Sequence, residues 1–226
     1  MSSFIVNGTY LVYTLRMNAK NARFVVLDGT EGVGKSTQLK RLKEHFGDRV
    51  VFTREPGGSP YAEEIRDVVL NSQYAGEADA LTHFALFWAA RSDHMKKTVI
   101  PALEAGKHVI SDRFDSTTFA FQIRGQEHAE LYDLFFRMRE QCLGAVQPDR
   151  YILFDLDPEI GLTRKAKQKD ELLNHFDARD LAFHNRNREG FKEFADHVPH
   201  VFIDASKTID EVTKDLVGVL KREFNE

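Results

Sequence analysis

The sequence predicts an α/β fold in which a five-stranded parallel sheet carries helices on both faces. From Arg23 onward, short apolar runs alternate with longer segments of helical periodicity, the pattern of strand–helix–strand units. The predicted strands contain residues 24–27, 50–52, 109–110, 151–154 and 201–203. One predicted helix stripe consists of Leu131, Leu134, Phe135, Met138 and Cys142. Their spacing places them on one face, which is expected to cover the sheet.

Composition and charge limit the kind of protein this chain can be. Its 226 residues are 42% hydrophobic and 29% charged, which suits one buried core and argues against disorder. A net charge of −4 lacks the basic field that nucleic-acid binding uses, so no such partner is expected. No apolar run reaches the length of a membrane span, and the single cysteine excludes an intrachain disulfide. These features favour a cytoplasmic protein without a membrane partner.

Residues 1–22 differ from the rest of the chain. No acidic residue precedes Asp28, whereas Arg16 and Lys20 are present. The apolar stretch at 4–15 follows no basic residue and is interrupted by polar residues, so it is a poor secretory signal. We interpret residues 1–22 as a dispensable extension and residues 23–226 as a single domain.

Polar residues follow or end each predicted strand. They are Asp28, Thr53 with Arg54, Asp112 with Arg113, Asp155 and Asp204. Ligands of open parallel sheets bind outside the carboxyl ends of the strands, so these side chains should collect along one edge. A ligand site is expected there.

The strongest motif directly follows the first predicted strand. Residues 29–36 read Gly-Thr-Glu-Gly-Val-Gly-Lys-Ser, a full match to the phosphate-binding loop that opens a helix. Glycines let backbone N–H groups face a phosphate, Lys35 reaches the β- and γ-phosphates, and Ser36 holds Mg²⁺. The loop leaves open whether the triphosphate is ATP or GTP and what receives its γ-phosphate. The residues predicted to bind ATP are Gly29, Thr30, Glu31, Gly32, Val33, Gly34, Lys35, Ser36 and Thr37.

Two other strand ends carry arginines. Arg54 opens a turn rich in Pro and Gly, where it can grip a second phosphate with two hydrogen bonds. Alternatively, it pairs with Glu55 or Glu63 on the surface. At the third strand, Asp112 can order the water shell of a metal ion and Arg113 can span two phosphates. Taken alone, such an Asp-Arg pair is common.

Together these motifs resemble the thymidylate kinases, the nucleoside-monophosphate kinases that make dTDP from dTMP. The resemblance covers residues 23 to about 222 and is most specific at 53–59, 87–91 and 112–122, with weaker support at 204–209. These segments read Thr-Arg-Glu-Pro-Gly-Gly-Ser, Phe-Trp-Ala-Ala-Arg, Asp-Arg-Phe-Asp-Ser-Thr-Thr-Phe-Ala-Phe-Gln and Asp-Ala-Ser-Lys-Thr-Ile. The resemblance implies the P-loop nucleoside-monophosphate kinase fold, ATP and dTMP as substrates, Mg²⁺ as cofactor and a homodimer formed through helices.

The resemblance also implies roles for individual residues. Arg54 and Arg113 would hold the phosphate of dTMP, and Glu31 would meet the 3′-hydroxyl of its sugar. Phe87 would stack on thymine, and Arg91, one helical turn later on the same face, would bind a carbonyl oxygen of the base. The other expected substrate contacts are Pro56, Thr117, Phe121 and Gln122, with Phe121 where the family usually has Tyr.

Phe87 has a simpler alternative interpretation, and Asp112 has two expected roles. Without the resemblance, Phe87 beside Phe84 and Trp88 would be interpreted as a core residue. Asp112 would serve both the metal and the transferring phosphate. The expected catalytic residues are Lys35, Asp112, Arg113 and Arg164.

A basic lid at about 164–180 is the last expected part of the site. It contains Arg164, Lys165, Lys167 and Lys169. In the subgroup whose phosphate loop lacks arginine, as this loop does, the resemblance implies that the lid supplies the catalytic cations. This lid departs from the family pattern because His175 stands where arginine is usual. By composition alone, the run would be a solvated helix face.

Two other functions are weighed against phosphoryl transfer from ATP to dTMP. A P-loop kinase for another nucleotide or a deoxynucleoside would share the loop, but a nucleoside offers no phosphate to Arg54. An inactive nucleotide-binding module would fit the altered lid, whereas Lys35, Ser36 and Asp112 are those of an active enzyme. Transfer to dTMP is therefore favoured.

Overall fold

Five parallel strands form one sheet, and each predicted apolar run lies within one of them. The computed structural model describes residues 21–167 and 179–226. The strands are β1 (Phe24–Gly29), β2 (Val50–Arg54), β3 (His108–Asp112), β4 (Arg150–Asp155) and β5 (His200–Asp204). Their order is β2–β3–β1–β4–β5, and all neighbours are parallel. The predicted sheet is confirmed.

Helices connect the strands across both faces of the sheet. In the described part of the chain they are α1 (Lys35–Phe46), α2 (Pro60–Asn71), α3 (Ala80–His94), α4 (Ile100–Glu104), α5 (Asp115–Thr118), α6 (Tyr132–Leu143), α7 (Pro158–Ala166), α8 (Leu181–Ala195) and α9 (Ile209–Phe224). Two π-helical segments, Met95–Val99 and Phe119–Gly125, continue α3 and α5. Within residues 21–167 and 179–226, no helix combines the length and apolar character needed to cross a membrane.

Apolar side chains pack against both faces of the sheet. Successive residues of a strand point to opposite faces, so Phe24 and Val26 of β1 join one cluster while Val25 and Leu27 join the other. None of these four side chains is exposed. The predicted helix stripe packs in the first cluster: Leu131, Leu134, Phe135, Met138 and Cys142. Two cores therefore hold the sheet rigid beneath its functional edge.

The carboxyl ends of the strands bring the predicted polar residues to one edge. Arg54 at the end of β2 lies in register with Asp112 at the end of β3, and Asp155 lies in register with Asp204. The N–H group of Arg113 donates to the carbonyl of Leu27 in β1 at 2.9 Å. Arg54, which ends β2, and Arg113, which follows β3, therefore lie on the same side of the segment that follows β1.

Candidate active site

The phosphate loop makes a sharp turn between β1 and α1. Gly34, directly before α1, has a φ of 82°, in the left-handed region that favours glycine. Gly32 packs against α7, where a Cβ would lie 2.0 Å from the carbonyl oxygen of Gly161. Thr30, Val33 and Lys35 are buried, while Ser36 and Thr37 are exposed in the first turn of α1. The predicted strand–loop–helix context is confirmed.

Lys35 contacts Asp112 across the sheet edge. Its Nζ donates to Oδ1 of the carboxylate, although the two residues are far apart in sequence. Burial and the nearby Arg113 lower the pKa of Lys35, and Asp112 opposes both effects. The expected phosphate-binding cation and the expected metal-site carboxylate therefore stand side by side.

Glu31 links the phosphate loop to two cations. Its Oε1 accepts a hydrogen bond from Nη2 of Arg113 at 2.7 Å, and its Oε2 accepts one from Nζ of Lys165 at 3.0 Å. Burial raises the pKa of Glu31, but the charges of Arg113 and Lys165 outweigh this and bring it to about 2. The carboxylate is therefore ionised at neutral pH and can orient both cations.

Asp28 organises the same edge from inside the core. It is fully buried and accepts hydrogen bonds from the hydroxyls of Ser116 at 2.6 Å and Thr117 at 2.7 Å. Arg113 lies 3.4 Å from its Oδ1. Although burial lowers the pKa of Arg113, the Glu31 and Asp28 carboxylates raise it above the ordinary arginine value. Sequence reasoning gave Asp28 no specific role, because its burial and partners depend on the tertiary fold.

A cleft of about 940 Å³, part of it open to solvent, lies beside this cluster. Its lining contains Glu31, Arg54, Glu55, Pro56, Arg66, Leu70, Phe87, Arg91, Asp112, Arg113, Phe114, Thr117, Thr118, Phe121 and Gln122. All ten residues predicted on the acceptor side, including Asp112, are therefore brought together.

Five lining residues were not predicted. Glu55 and Phe114 stand inside motifs that the sequence analysis quoted, so the signal was present but was assigned to their neighbours. Arg66 and Leu70 lie one turn apart on α2, and Thr118 ends α5. Nothing in the sequence distinguishes such positions from an ordinary helix face.

Phe87 and Arg91 share the face of α3 that borders the cleft. Phe84 and Trp88 are buried in the core, whereas Phe87 is half-buried and lines the cleft. The guanidinium of Arg91 lies 4.4 Å from the centroid of the Trp88 ring. Gln122, also buried, lines the cleft as well, and its Nε2 approaches the carbonyl of Ala80 in α3 at 3.4 Å. An aromatic surface and a guanidinium group thus stand at one end of the cleft.

Arg54 forms the surface ion pair that the sequence analysis considered and also borders the cleft. Its Nη2 donates to Oε2 of Glu63 at 2.9 Å, in the surface pair considered as the alternative. It also lines the cleft, with 54% of its side chain exposed. An exposed pair of this kind is worth at most about 1 kcal/mol, so a phosphate can replace Glu63 as its partner.

In the described part of the basic lid, the adjacent cations Arg164 and Lys165 contact different partners. Arg164 in α7 donates from Nη1 to the carbonyl of Ala205 at 2.8 Å and is not among the residues that line the cleft. Lys165, the next residue, contacts Glu31 in the phosphate loop. Lys169 and His175 lie outside the described residues.

A phosphate loop at the edge of a parallel sheet, with a guanidinium-lined cleft beside it, defines a P-loop nucleotide kinase. The sequence profile of the family described as Thymidylate kinase matches residues 27–216. With most of its length matched, the chain belongs to the thymidylate kinase family and is an enzyme of that family. The predicted family, fold and enzyme class are confirmed.

Individual relatives agree with this assignment. A thymidylate kinase of Geobacillus thermodenitrificans is 36% identical over 222 residues, covering 91% of this chain and 96% of that protein. One from a Bradyrhizobium species is 39% identical over 208 residues, covering 88% of this chain and 89% of the relative. The crystal structure of thymidylate kinase from Ehrlichia chaffeensis superposes with a TM-score of 0.68 at 27% identity, covering 89% of this chain and 99% of that one.

Proposed function

We propose that this enzyme transfers the γ-phosphate of ATP to dTMP, giving dTDP and ADP, by joining two neighbouring sites. The observation that carries this mechanism is the position of Arg113, which contacts Glu31 of the phosphate loop and also lines the cleft. Phosphoryl transfer requires two anions in line, neutralisation of their charge and exclusion of water. Arg113 stands where the two anions would meet.

The donor side is the phosphate loop. Residues 29–37 present backbone N–H groups at the N-terminus of α1, which attracts phosphate oxygens. Lys35 binds the β- and γ-phosphates and exchanges part of its contact with Asp112 for them. Because its ammonium is largely buried, its attraction for phosphate is only weakly screened.

The acceptor side is the cleft. Arg54 and Arg113 hold the phosphate of dTMP, and Glu31 accepts a hydrogen bond from the 3′-hydroxyl of the sugar. Phe87 stacks on the base while Arg91 donates to it. The remaining walls are formed by Pro56, Thr117, Phe121 and Gln122. The Phe121 ring centroid lies 5.6 Å from the Arg113 guanidinium, so this apolar wall also holds the arginine in place.

The donor set fits Mg²⁺. Ser36 is exposed in the first turn of α1, and Asp112 at the end of β3 contacts Lys35 of the same turn, so the chain offers a hydroxyl and a carboxylate oxygen at this edge of the sheet. Oxygen ligands together with phosphate oxygens are the usual environment of Mg²⁺ in kinases. The bound ion would neutralise charge on the β- and γ-phosphates. The chain contributes Ser36 and Asp112 to hold it.

The lid supplies further positive charge. Arg164 reaches the phosphates when its Nη1 leaves the carbonyl of Ala205, and Lys165 acts from its position on Glu31. Because a cation that contacts the phosphates chiefly in the closed state accelerates transfer more than binding, the lid contributes mainly to kcat.

Exposed helix surfaces bear on the oligomeric state, and the position of β1 bears on the role of residues 1–22. Exposed apolar side chains on α2 and α3, namely Tyr61, Val68 and Leu81, support a homodimer through helices. Residues 1–22 are dispensable, because Phe24 opens the sheet and packs within a cluster of the described residues. The single cysteine supports a cytoplasmic location.

An assay of ADP release tests this function. With ATP as donor, the acceptors are dTMP, dUMP, dCMP, AMP and thymidine. We expect dTMP to be the preferred acceptor and thymidine to be inert, because Arg54 and Arg113 act only on an acceptor that carries a phosphate. Equal rates with thymidine and dTMP would overturn the proposal.

A further inference from the structure

A buried polar cluster lies behind the base-binding end of the cleft. It consists of Glu55, which directly follows β2, together with Arg91 and His94 of α3, and we call it the Glu55 cluster. The exposed fractions of these residues are 5%, 2% and 0%. Charged groups this deeply buried are rare unless each is paired, so every contact in the cluster restricts its neighbours.

Both oxygens of the Glu55 carboxylate are engaged. Oε2 accepts a hydrogen bond from Nε of Arg91 at 2.8 Å, and Oε1 lies 2.9 Å from Nδ1 of His94. A carboxylate only accepts hydrogen bonds, so Nδ1 of His94 carries a proton. The other ring nitrogen of His94 lies 2.8 Å from the hydroxyl of Thr53. Thr53, His94, Glu55 and Arg91 therefore form one continuous chain of hydrogen bonds.

The guanidinium of Arg91 is fixed on three sides. Besides Nε, its Nη2 donates to the hydroxyl of Thr118 at 3.1 Å, and Trp88 stacks beneath it. Its Nη1 is buried and has no hydrogen-bond partner within residues 21–167 and 179–226. Arg91 also lines the cleft, so Nη1 is an unpaired donor on a residue that borders the ligand space.

The loop that carries Glu55 is tied to α3 and its π-helical continuation. Thr98 donates to the carbonyl of Gly58 at 2.6 Å, and Ser59 donates to Asp93 at 2.6 Å. A Cβ on Gly58 would lie 2.6 Å from Cδ2 of His94. The close approach of this loop to His94 therefore depends on glycine, and it keeps Glu55 within reach of Arg91.

We propose that Glu55, held by His94, is a positioning residue that aims a free N–H group of Arg91 at the base of the acceptor. This inference rests on the proposed function. A donor fixed against the base edge favours a carbonyl oxygen, as in thymine, and disfavours the amino group that cytosine carries at its position 4. Glu55 and Thr118 fix the direction of the guanidinium, and discrimination between bases depends on that direction.

The test compares acceptor selectivity in Glu55→Gln with that in Glu64→Gln, a matched change on the exposed side of α2. We expect Glu55→Gln to raise KM for dTMP about fivefold or more, leave KM for ATP unchanged, and lower the preference for dTMP over dCMP by a similar factor. Glu64→Gln should match the wild type. A folded Glu55→Gln protein with wild-type preference would overturn the inference.

Two variants of His94 keep the test decisive if Glu55→Gln does not fold. His94→Gln can still donate to Glu55, whereas His94→Phe cannot. We expect the preference for dTMP over dCMP to be closer to wild type in His94→Gln than in His94→Phe, and equal values would overturn the inference. Failure of the wild-type enzyme to phosphorylate dTMP would instead overturn the proposed function, so the two failures are distinguishable.

Discussion

The carboxylate of Glu31 and the guanidinium of Arg113 are joined at 2.7 Å between the phosphate loop and the acceptor cleft. Glu31 belongs to the donor loop, and Arg113 lines the cleft. A displacement of the loop is therefore transmitted directly to the arginine proposed to hold both phosphates. This contact also makes the stability of the protein depend on pH.

Acid should weaken the fold partly through Glu31. Its pKa is about 2 in the folded protein against an ordinary value of 4.5. Because the folded value is the lower one, the stabilisation is present above about pH 4.5 and is lost as the pH falls toward 2. We expect Glu31→Gln to have a lower free energy of unfolding than wild type at pH 7 and to converge with it near pH 2. Denaturant titrations at several pH values measure this.

A matched control for that titration is Glu77→Gln, an exposed glutamate. Its free energy of unfolding should follow the wild type at every pH. Parallel curves for wild type and Glu31→Gln between pH 5 and pH 2 would show that Glu31 has an ordinary pKa.

Lys35 and Arg113 should be needed for turnover. We expect Lys35→Ala and Arg113→Ala each to lower kcat by about a hundredfold or more, the effect of removing one preorganised charge from a transition state. Steady-state rates with ATP and dTMP measure the loss, and circular dichroism confirms the fold. Near-normal turnover in either variant would mean that the loop or the arginine is not catalytic.

The two lid cations should affect the rate more than the affinity. We expect Arg164→Ala and Lys165→Ala each to lower kcat about tenfold or more with little change in KM, because their charge acts mainly in the closed enzyme. Lys214→Ala, an exposed change on α9, is the control. If neither lid variant lowers kcat, the basic run is a solvated helix face.

Gly161 should be intolerant of even one methyl group. A Cβ there would lie 2.4 Å from the carbonyl oxygen of Glu31, so Gly161→Ala must push α7 away from the phosphate loop. We expect a lower Tm and a reduced kcat.

Gly218→Ala in α9 is the control with the opposite expected result, because its Cβ would meet no atom closer than 3.7 Å and alanine favours the helix by about 1 kcal/mol over glycine. A higher Tm is expected there, and equal shifts in both variants would contradict the packing described.

Asn187 should be a site where an apolar residue stabilises the fold. It is fully buried in α8, and neither Nδ2 nor Oδ1 has a hydrogen-bond partner in the part of the chain that the structure describes. Burying such unsatisfied groups costs about 1–3 kcal/mol, so we expect Asn187→Leu to raise the free energy of unfolding by about 1 kcal/mol or more. Asn185→Leu, exposed on the same helix, should change it little. A lower Tm for Asn187→Leu would reveal a polar partner.

The fold and the phosphate loop could be predicted because their signals are local. The apolar run of β1 and the glycines after it specify the loop within a short stretch of chain. The position of Phe87 in the cleft was available only through family resemblance, since its neighbours Phe84 and Trp88 are core residues. The contact between Glu55 and His94 joins residues 39 apart in sequence, and no periodicity reports such a pair.

Which lid cation faces the site was likewise beyond the sequence. Arg164 and Lys165 are adjacent, and a basic run does not reveal which side chain points inward. The structure places Lys165 on Glu31 and Arg164 on the carbonyl of Ala205. Adjacent residues of a helix point in different directions around its axis, so the two side chains of α7 reach different partners. The packing of Gly161 against the phosphate loop fixes the orientation of the helix itself.

The backbone of Arg113 has a φ of 66°, a value that residues other than glycine rarely adopt. A long cationic side chain therefore occupies a backbone conformation that suits glycine, which has no Cβ. Substitution by glycine would relieve about 1 kcal/mol of strain while removing the side chain proposed to hold the phosphate of dTMP. It would also leave the carboxylates of Asp28 and Glu31 without their guanidinium partner, which costs more than the strain it relieves, so a laboratory selection for heat resistance alone should retain this arginine.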